Sequence, residues 1–393
     1  MIEQGINTKK IKLSRIREIM NYCKALEKQG KVILDFTNGE PDFDTPKYIK
    51  SAAVKALNDG KTGYASIVGV EELRKAISKK LFSENNLNYN PDEILITNGV
   101  THGIFLAVMS FLNEGDEILL PDPGYTVYPE IAKFAGAIIK AYRLKRENGF
   151  QIDISELQKN ITSKTKMIAL ISPNNPIGSV IKKETLAKLA KLTKNKEILI
   201  LSDEVYEKIT YDGNKHHSIA EIKGMRDKTI LLNGFSKSYA MTGWRLGYIA
   251  APSHYIEPMM RLNSITTSGV NHFIQWAGID AFEKEKDECN IMRNEYKKRR
   301  DYIISEICKI DKLSCLKPEG AFYIFVNIQD TGLSSEDFVK YIIDVASVAL
   351  VPGSAFGEGG EGYVRFCYAK PISEISEALK RIAEAIKKLN INN

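Results

Sequence analysis

The segment Thr229–Ala251 reads TILLNGFSKSYAMTGWRLGYIAA and joins two apolar runs through a turn rich in small and charged residues. The runs, Thr229–Asn233 and Gly247–Ala251, are short, nearly all apolar and bounded by turn residues. Such runs are typical of strands that are buried on both faces. The segment therefore predicts two core strands, with Lys237 and Arg245 in the connection between them.

Five further apolar runs precede this segment, and helical patterns such as Gly103–Leu112 and Lys183–Thr193 lie between them. The runs are Glu93–Thr97, Glu117–Leu120, Ala137–Tyr142, Met167–Ser172 and Glu197–Ser202. Strands that alternate with helices are typical of a parallel sheet covered by helices on both sides. The pattern therefore predicts an α/β fold with a mostly parallel sheet.

The last third of the chain has a different pattern, in which long helices and single strands predict a smaller α+β unit. Its predicted elements are Asp287–Lys309, Phe322–Asn327, a helix opened at Ser334, Tyr363–Tyr368 and Ile372–Leu389. We predict a large α/β domain over residues 46–284. Residues 1–45 and 285–393 are expected to form the smaller domain, with the early helix packed against the C-terminal part.

Composition excludes several classes of protein. The 393 residues are 44% hydrophobic and 26% charged, with a formal net charge of +6, which is an ordinary globular balance. No apolar run has the length that crosses a bilayer. Basic tracts such as Lys297–Arg300 are short, and a solvated helix face explains them better than nucleic-acid binding. The chain is therefore expected to bind neither membranes nor nucleic acid.

The five cysteines and five histidines have no metal-ligand spacing. An odd number of scattered cysteines also argues against a disulfide framework. We therefore expect a reducing, cytoplasmic setting and no metal.

Lys237 is the first candidate for chemistry, because it stands among small and aromatic residues with Ser236 before it and Arg245 shortly after. A lysine in a partly desolvated pocket near another cation has a lowered pKa and becomes an amine nucleophile. The hydroxyl of Ser236 and the guanidinium of Arg245 suit a phosphate, which arginine binds bidentately.

Polar residues at the ends of the other runs are further candidates, since ligands of open parallel sheets bind at the carboxyl ends of the strands. Asp203 is either a helix cap or a carboxylate that keeps a pyridine nitrogen protonated. Asn175 is either part of a proline-rich turn or an amide donor to a phenolate oxygen. The turn at Gly99 leads into a helix whose N-terminus favours an anion.

In order and spacing these segments resemble the class I/II aminotransferases of pyridoxal-phosphate fold type I, closest to the bacterial and archaeal aspartate and aromatic branch. The resemblance covers nearly the whole chain. The matching segments are Asn38–Pro46, Gly63-Tyr64, Asn98-Gly99, Pro121–Tyr128, Asn174–Pro176, Ser202–Tyr206, Ser236-Lys237, Gly243–Gly247 and Val364–Phe366.

The resemblance implies a role for each matching residue around pyridoxal 5'-phosphate. Lys237 would bind the cofactor covalently and move the proton of the substrate Cα. Asp203 would pair with the ring nitrogen, Asn175 and Tyr206 would contact the 3-oxygen of the ring, and Tyr125 would stack on its face.

The resemblance also implies how the anionic groups are bound. Arg365, with help from Asn175 and Gly39, would bind the substrate α-carboxylate; otherwise Arg365 pairs with Glu361 on its own domain. The cofactor phosphate would be held by Gly99, Val100, Thr101, Ser236 and Arg245, and by Tyr64 of the partner subunit in a homodimer with shared active sites.

The implied activity is transfer of an amino group from an L-amino acid to a 2-oxo acid, expected to be 2-oxoglutarate, in a ping-pong cycle. The expected donor is aspartate, an aromatic amino acid or a broad range of amino acids. The first alternative is a lyase, cyclase or decarboxylase on the same fold, because residues of the substrate pocket direct the outcome at Cα. The second is a pyridoxal-phosphate-sensing regulator, although Gly39 lies too near the N-terminus to leave room for a DNA-binding domain.

Overall fold

The computed structural model describes residues 5–284 and 287–391. Its strands are β1 (Leu34–Asp35), β2 (Ile94–Thr97), β3 (Glu117–Asp122), β4 (Ile138–Arg143), β5 (Thr165–Ile171), β6 (Leu199–Asp203), β7 (Thr229–Gly234), β8 (Gly247–Ala250), β9 (Ser314–Cys315), β10 (Tyr323–Asn327), β11 (Val348–Ala349), β12 (Val351–Pro352) and β13 (Tyr363–Cys367). Its α-helices are α1 (Ile6–Lys9), α2 (Arg15–Glu27), α3 (Lys47–Asn58), α4 (Glu71–Asn85), α5 (Val100–Phe111), α6 (Val127–Phe134), α7 (Ile154–Asn160), α8 (Lys183–Thr193), α9 (Ser253–Thr266), α10 (His272–Glu283), α11 (Glu288–Ile307), α12 (Ser335–Ala346) and α13 (Ile372–Ile391).

The large sheet has seven strands in the order β2-β8-β7-β6-β5-β3-β4. β8 runs antiparallel to its neighbours β2 and β7, and the other neighbouring pairs are parallel. Six strands therefore point their carboxyl ends to one edge, where the amino end of β8 also lies. Each of the seven apolar runs forms a strand of this sheet, so the predicted mostly parallel α/β fold is confirmed.

Burial differs between the centre and the margin of this sheet. The central strands β5, β6 and β7 are almost completely buried. β4 lies at one end of the sheet with most of its residues partly exposed. The expectation of burial on both faces is therefore wrong for β4, whereas β2 at the opposite end of the sheet is fully buried.

A second, antiparallel sheet in the order β12-β13-β10-β9 forms in the last third of the chain. Ile19, Cys23 and Leu26 line one face of α2 and join the same buried cluster as Ile303 of α11 and Phe338 of α12. β1 pairs in parallel with β11. The N-terminal segment therefore packs with C-terminal elements, while the division into domains stays a prediction, and its boundary at residue 285 lies outside the described residues.

The basic tract on α11 is not the solvated face that the sequence predicts. Lys298 is exposed, but the Arg299 and Arg300 side chains are almost fully buried. Arg299 donates to both carboxylate oxygens of Asp42 at 2.8 Å, and Arg300 lies 2.8 Å from Asp212. Burial of a guanidinium requires such partners, which only the folded chain supplies. Among the described helices none combines the length and the apolar character needed to cross a membrane.

Candidate active site

The loops after the parallel strands surround a cavity of about 660 Å³, which is within the usual range for ligand sites. Most of the predicted site residues line it. They are Gly39, Val100, Thr101, Tyr125, Asn175, Asp203, Tyr206, Ser236, Lys237, Arg245 and Arg365. Gly99 lies directly beside Arg245. Tyr64, with 94% of its surface exposed, lies outside the cavity.

Lys237 follows the carboxyl end of β7 and points its amine into the cavity. Its Nζ donates a hydrogen bond to the carbonyl oxygen of Gly39 at 2.6 Å and lies 5.7 Å from the ring centre of Tyr206. Burial lowers the pKa of the Lys237 amine to about 8, and the positive charge of Arg365 acts in the same direction. A much larger fraction of this amine is therefore uncharged near neutral pH than for an exposed lysine.

Asp203 ends β6 with only 4% of its surface exposed. Burial raises the pKa of its carboxyl to about 6, although the Val205 N–H and the Tyr128 hydroxyl, which donates at 3.0 Å, oppose this shift. A turn rather than a helix follows, so the helix-cap alternative is wrong. A buried carboxylate at this position can pair with a protonated ring nitrogen.

Arg365 on β13 is 2% exposed and is held from three sides. Its Nη1 donates to Oδ1 of Asn175 at 3.0 Å, its Nη2 donates to the carbonyl oxygen of Thr37, and the guanidinium lies 4.6 Å from the ring centre of Tyr323. Its Nε is buried without a hydrogen-bond partner among the described residues. The alternative pairing with Glu361 is wrong, because that carboxylate bonds to Ser335.

Tyr323 and Tyr128 are two residues of the site to which the sequence assigned no role. The Tyr323 hydroxyl lies 2.7 Å from that of Tyr206, and a Cβ added at Gly39 would come within 2.3 Å of the same hydroxyl. Tyr128 falls within a segment that resembles the family, Pro121–Tyr128. Tyr323 begins an apolar strand, and no polar residue directly before or after it indicates a site. Only the fold indicates that these hydroxyls face the site.

An anion-binding corner forms where β2 leads into α5. Gly99 has a positive φ of +74°, and the backbone N–H groups of the first turn at Val100 and Thr101 have no acceptor within the helix. A Cβ at Gly99 would lie 2.6 Å from Nη2 of Arg245. Because β8 is antiparallel, Arg245 at its amino end reaches the same edge of the sheet.

A second group of titratable side chains lies behind Asp203. The potential metal-ligand atoms of Glu204, Glu207 and His216 lie within 4.8 Å of one another. Glu207 pairs with the ammonium of Lys80, and Glu204 accepts from the hydroxyl of Ser218 at 2.6 Å and lies 2.9 Å from Nε2 of His216. Donors within the protein therefore satisfy both carboxylates, so these side chains form a buried ion-pair network.

The cavity combines an amine of lowered pKa, a buried carboxylate, a buried arginine and an anion-binding corner. The amine suits the aldehyde of pyridoxal phosphate, the buried carboxylate suits its ring nitrogen, and the anion-binding corner suits its phosphate. The buried arginine suits the carboxylate of an amino acid. The Nε of Arg365, which lacks a partner among the described residues, adds a donor that a substrate carboxylate would satisfy. The residues present therefore fit the cofactor that the resemblance implies.

Comparison with known proteins adds an independent line of support. Residues 31–382 match the family model described as aminotransferase class I and II. An aspartate aminotransferase of Pyrococcus abyssi and an aromatic-amino-acid aminotransferase 2 of Thermococcus litoralis are each 40% identical over 377 residues, covering 95% of this chain and 96% of each relative. The structure of aspartate aminotransferase from Thermus thermophilus with maleate superposes with a TM-score of 0.94 at 33% identity, covering 98% of this chain and 100% of that one.

Proposed function

Because the chain belongs to the class I and II aminotransferase family and catalyses pyridoxal-phosphate-dependent transamination, we propose that it exchanges amino groups between aspartate or aromatic amino acids and 2-oxoglutarate. The observation that carries the proposal is the single cavity shared by Lys237, Asp203 and Arg365. It combines a nucleophilic amine, a partner for a ring nitrogen and a donor for an α-carboxylate.

In this proposal the residues around the cofactor each hold one of its groups. Asp203 pairs with the ring nitrogen, Asn175 and Tyr206 contact the 3-oxygen, and Tyr125 stacks on the ring. The phosphate is held by Gly99, Val100, Thr101, Ser236 and Arg245.

The proposed chemistry uses the lowered pKa of Lys237. When bound, pyridoxal phosphate supplies an aldehyde that accepts the amino group and a ring that withdraws electrons from Cα. Arg365, assisted by Asn175 and by the backbone at Gly39, holds the substrate α-carboxylate and so aims the Cα–H bond. The Nζ of Lys237 would accept the proton from the substrate Cα and hold it for return during the exchange, in both halves of the cycle.

Two observations support dicarboxylic and aromatic substrates. The maleate in the Thermus thermophilus structure is a dicarboxylate, as aspartate and 2-oxoglutarate are. A second cavity of about 630 Å³ shares Tyr125 and Val127 with the first, and its remaining lining includes Phe105, Ile131 and Phe134. An apolar space beside the site suits aromatic side chains.

We further propose a homodimer in which Tyr64 contributes to the active site of the partner. Tyr64 and Ile265 are 94% and 81% exposed, and the loop after Tyr64 is tied to α9 because Asn263 donates to the carbonyl oxygen of Ile67 at 2.8 Å. A partner subunit that covered these apolar side chains would remove them from water. None of the five cysteines forms a disulfide among the described residues, which supports the proposal that the protein works in the reducing cytoplasm.

The test is a panel of amino donors, with 2-oxoglutarate as acceptor, followed by single half-reactions. Aspartate, tyrosine and phenylalanine are expected to convert the cofactor stoichiometrically to pyridoxamine phosphate, which is separated and quantified by chromatography. Release of ammonia or carbon dioxide without pyridoxamine phosphate would favour the lyase or decarboxylase alternative. Conversion by neither dicarboxylic nor aromatic donors would contradict the proposed substrates.

A further inference from the structure

The hydroxyl of Tyr323 lies inside the active-site cavity and has no role in the reaction proposed above. The residue is 1% exposed, and its hydroxyl lies 2.7 Å from that of Tyr206, which is assigned to the 3-oxygen of the cofactor. On another side the hydroxyl adjoins Gly39, where an added Cβ would overlap it. A glycine at position 39 therefore leaves the room that this hydroxyl occupies.

The position of the Tyr323 ring is set by the pairing of β10 with β13. In this antiparallel pair Phe325 lies opposite Arg365. Tyr323 is two residues from Phe325, so its side chain is on the same face of the sheet and diagonal to Arg365. The guanidinium lies 4.6 Å from the ring centre of Tyr323, and the ring of Tyr206 packs edge-on at 5.8 Å. These contacts hold the ring without using its hydroxyl.

The direction of the hydrogen bond between the two tyrosines follows from the number of protons available. Burial raises the pKa of the Tyr206 and Tyr323 hydroxyls, so both carry their protons near neutral pH. Each hydroxyl has one proton to donate. When Tyr206 donates its proton to the 3-oxygen of the cofactor, the proton between the two tyrosines must come from Tyr323.

We propose that Tyr323 is a positioning residue, which donates to the Tyr206 hydroxyl and thereby directs the Tyr206 proton to the 3-oxygen of the cofactor. The inference rests on the proposed function, because it uses the contact assigned to Tyr206. Hydrogen bonds in a chain polarise one another, so Tyr323 makes Tyr206 a stronger donor. A donor to the negatively charged 3-oxygen stabilises the form of the bound cofactor that has lost a proton. It therefore lowers the pKa at which the visible absorbance changes.

The experiment titrates the visible absorbance of the holoenzyme against pH. Tyr206→Phe removes the donor to the 3-oxygen and should raise the absorbance pKa by about one unit or more. Tyr323→Phe keeps the ring and removes only its hydroxyl, so it should raise this pKa by at least about 0.3 units. In the Tyr206→Phe background, Tyr323→Phe should add no further rise, because the hydroxyl through which it acts is already absent.

Tyr296→Phe is the matched control for the loss of a buried tyrosine hydroxyl. Tyr296 belongs to the same buried cluster as Tyr323, but its hydroxyl has no hydrogen-bond partner among the described residues. The absorbance pKa of this variant should be unchanged. A second control is the dissociation constant of 3-phenylpropanoate, measured by calorimetry with the holoenzyme. Tyr323→Phe keeps the ring beside Arg365 and should leave this constant unchanged, whereas Tyr323→Leu should raise it about threefold or more.

Several outcomes would overturn the inference. An unchanged absorbance pKa in Tyr323→Phe, when Tyr206→Phe shifts it, would overturn the role of Tyr323 only. The same holds for an equal further rise in the Tyr206→Phe background, or for weaker binding of 3-phenylpropanoate by Tyr323→Phe. An unchanged pKa in Tyr206→Phe would overturn both its contact with the 3-oxygen and the inference.

Failure of the proposed function gives a different result. It would appear in the unaltered protein, either as no visible absorbance after addition of pyridoxal phosphate or as no pyridoxamine phosphate after addition of an amino donor. Either result would overturn the proposed function, and with it the inference, whatever the variants show.

Discussion

At the scale of single residues, one physical effect prepares the two main titratable groups of the site. Burial disfavours the charged form of each, so it lowers the pKa of Lys237 to about 8 and raises that of Asp203 to about 6. A bound ring nitrogen with a proton would restore the charged form of Asp203. The site therefore favours a positively charged ring nitrogen beside Asp203 and an uncharged amine on Lys237.

The lowered pKa of Lys237 predicts how fast the apoprotein takes up pyridoxal phosphate. Only the uncharged amine attacks an aldehyde, so the rate constant should rise about tenfold per pH unit below pH 8 and level off above it. Stopped-flow absorbance measures the rate, and borohydride reduction followed by mass spectrometry should locate the cofactor on Lys237. A rate that keeps rising to pH 10, or an adduct on another lysine, would contradict the assignment.

Asp203 predicts a defect in proton transfer rather than in cofactor retention. In Asp203→Ala the phosphate contacts remain, so the cofactor should stay bound, while exchange of the substrate Cα proton should slow at least about a hundredfold. Hydrogen–deuterium exchange at Cα, followed by nuclear magnetic resonance, measures this step. Tyr128→Phe is the matched variant: it removes one hydrogen bond but keeps the carboxylate, so it should be less impaired. Near-normal exchange in Asp203→Ala would show that the carboxylate is dispensable.

At the scale of elements, the site depends on where strands end. Loops after β2, β5, β6 and β7 supply groups at the same edge because these strands are parallel. Arg245 reaches that edge only because β8 is antiparallel and begins there. The turn between β2 and α5 then brings the N-terminus of α5 next to the guanidinium of Arg245.

This turn predicts the effect of Gly99→Ala. The substitution strains a backbone with φ of +74° and places a methyl group 2.6 Å from Nη2 of Arg245, so the affinity for pyridoxal phosphate should fall about tenfold or more. Equilibrium dialysis measures the dissociation constant. Gly115→Ala is the control, because Gly115 also has positive φ, at +85°, but an added Cβ meets no atom within 4 Å. Equal affinities of the two variants for pyridoxal phosphate would show that this corner does not bind the phosphate.

At the scale of the whole molecule, the proposed dimer predicts complementation between two impaired chains. Lys237→Ala lacks the amine, and Tyr64→Ala lacks the hydroxyl that would reach the partner. In a mixed dimer, one site keeps its own Lys237 and receives Tyr64 from the neighbouring chain, so activity should recover toward half that of the unaltered dimer.

The measurement mixes differently tagged chains under exchanging conditions and purifies the mixed dimer by both tags. Each variant mixed with itself serves as the control. Activity of the mixed dimer no greater than that of the Tyr64→Ala dimer would place Tyr64 outside the partner's site.

The chain by itself determined the strands of the large sheet and the polar residues that follow them, including Lys237, Asp203 and Asn175. These features are local: a buried strand needs a short apolar run, and a site at the sheet edge needs polar residues directly after it.

Tertiary structure alone decided which distant residues meet. The guanidinium of Arg365 contacts Asn175, and the hydroxyl of Tyr323 pairs with that of Tyr206. These contacts and the burial of Arg299 and Arg300 join segments far apart in sequence. A local pattern cannot specify such contacts, because the partner of a buried polar group depends on how whole elements pack.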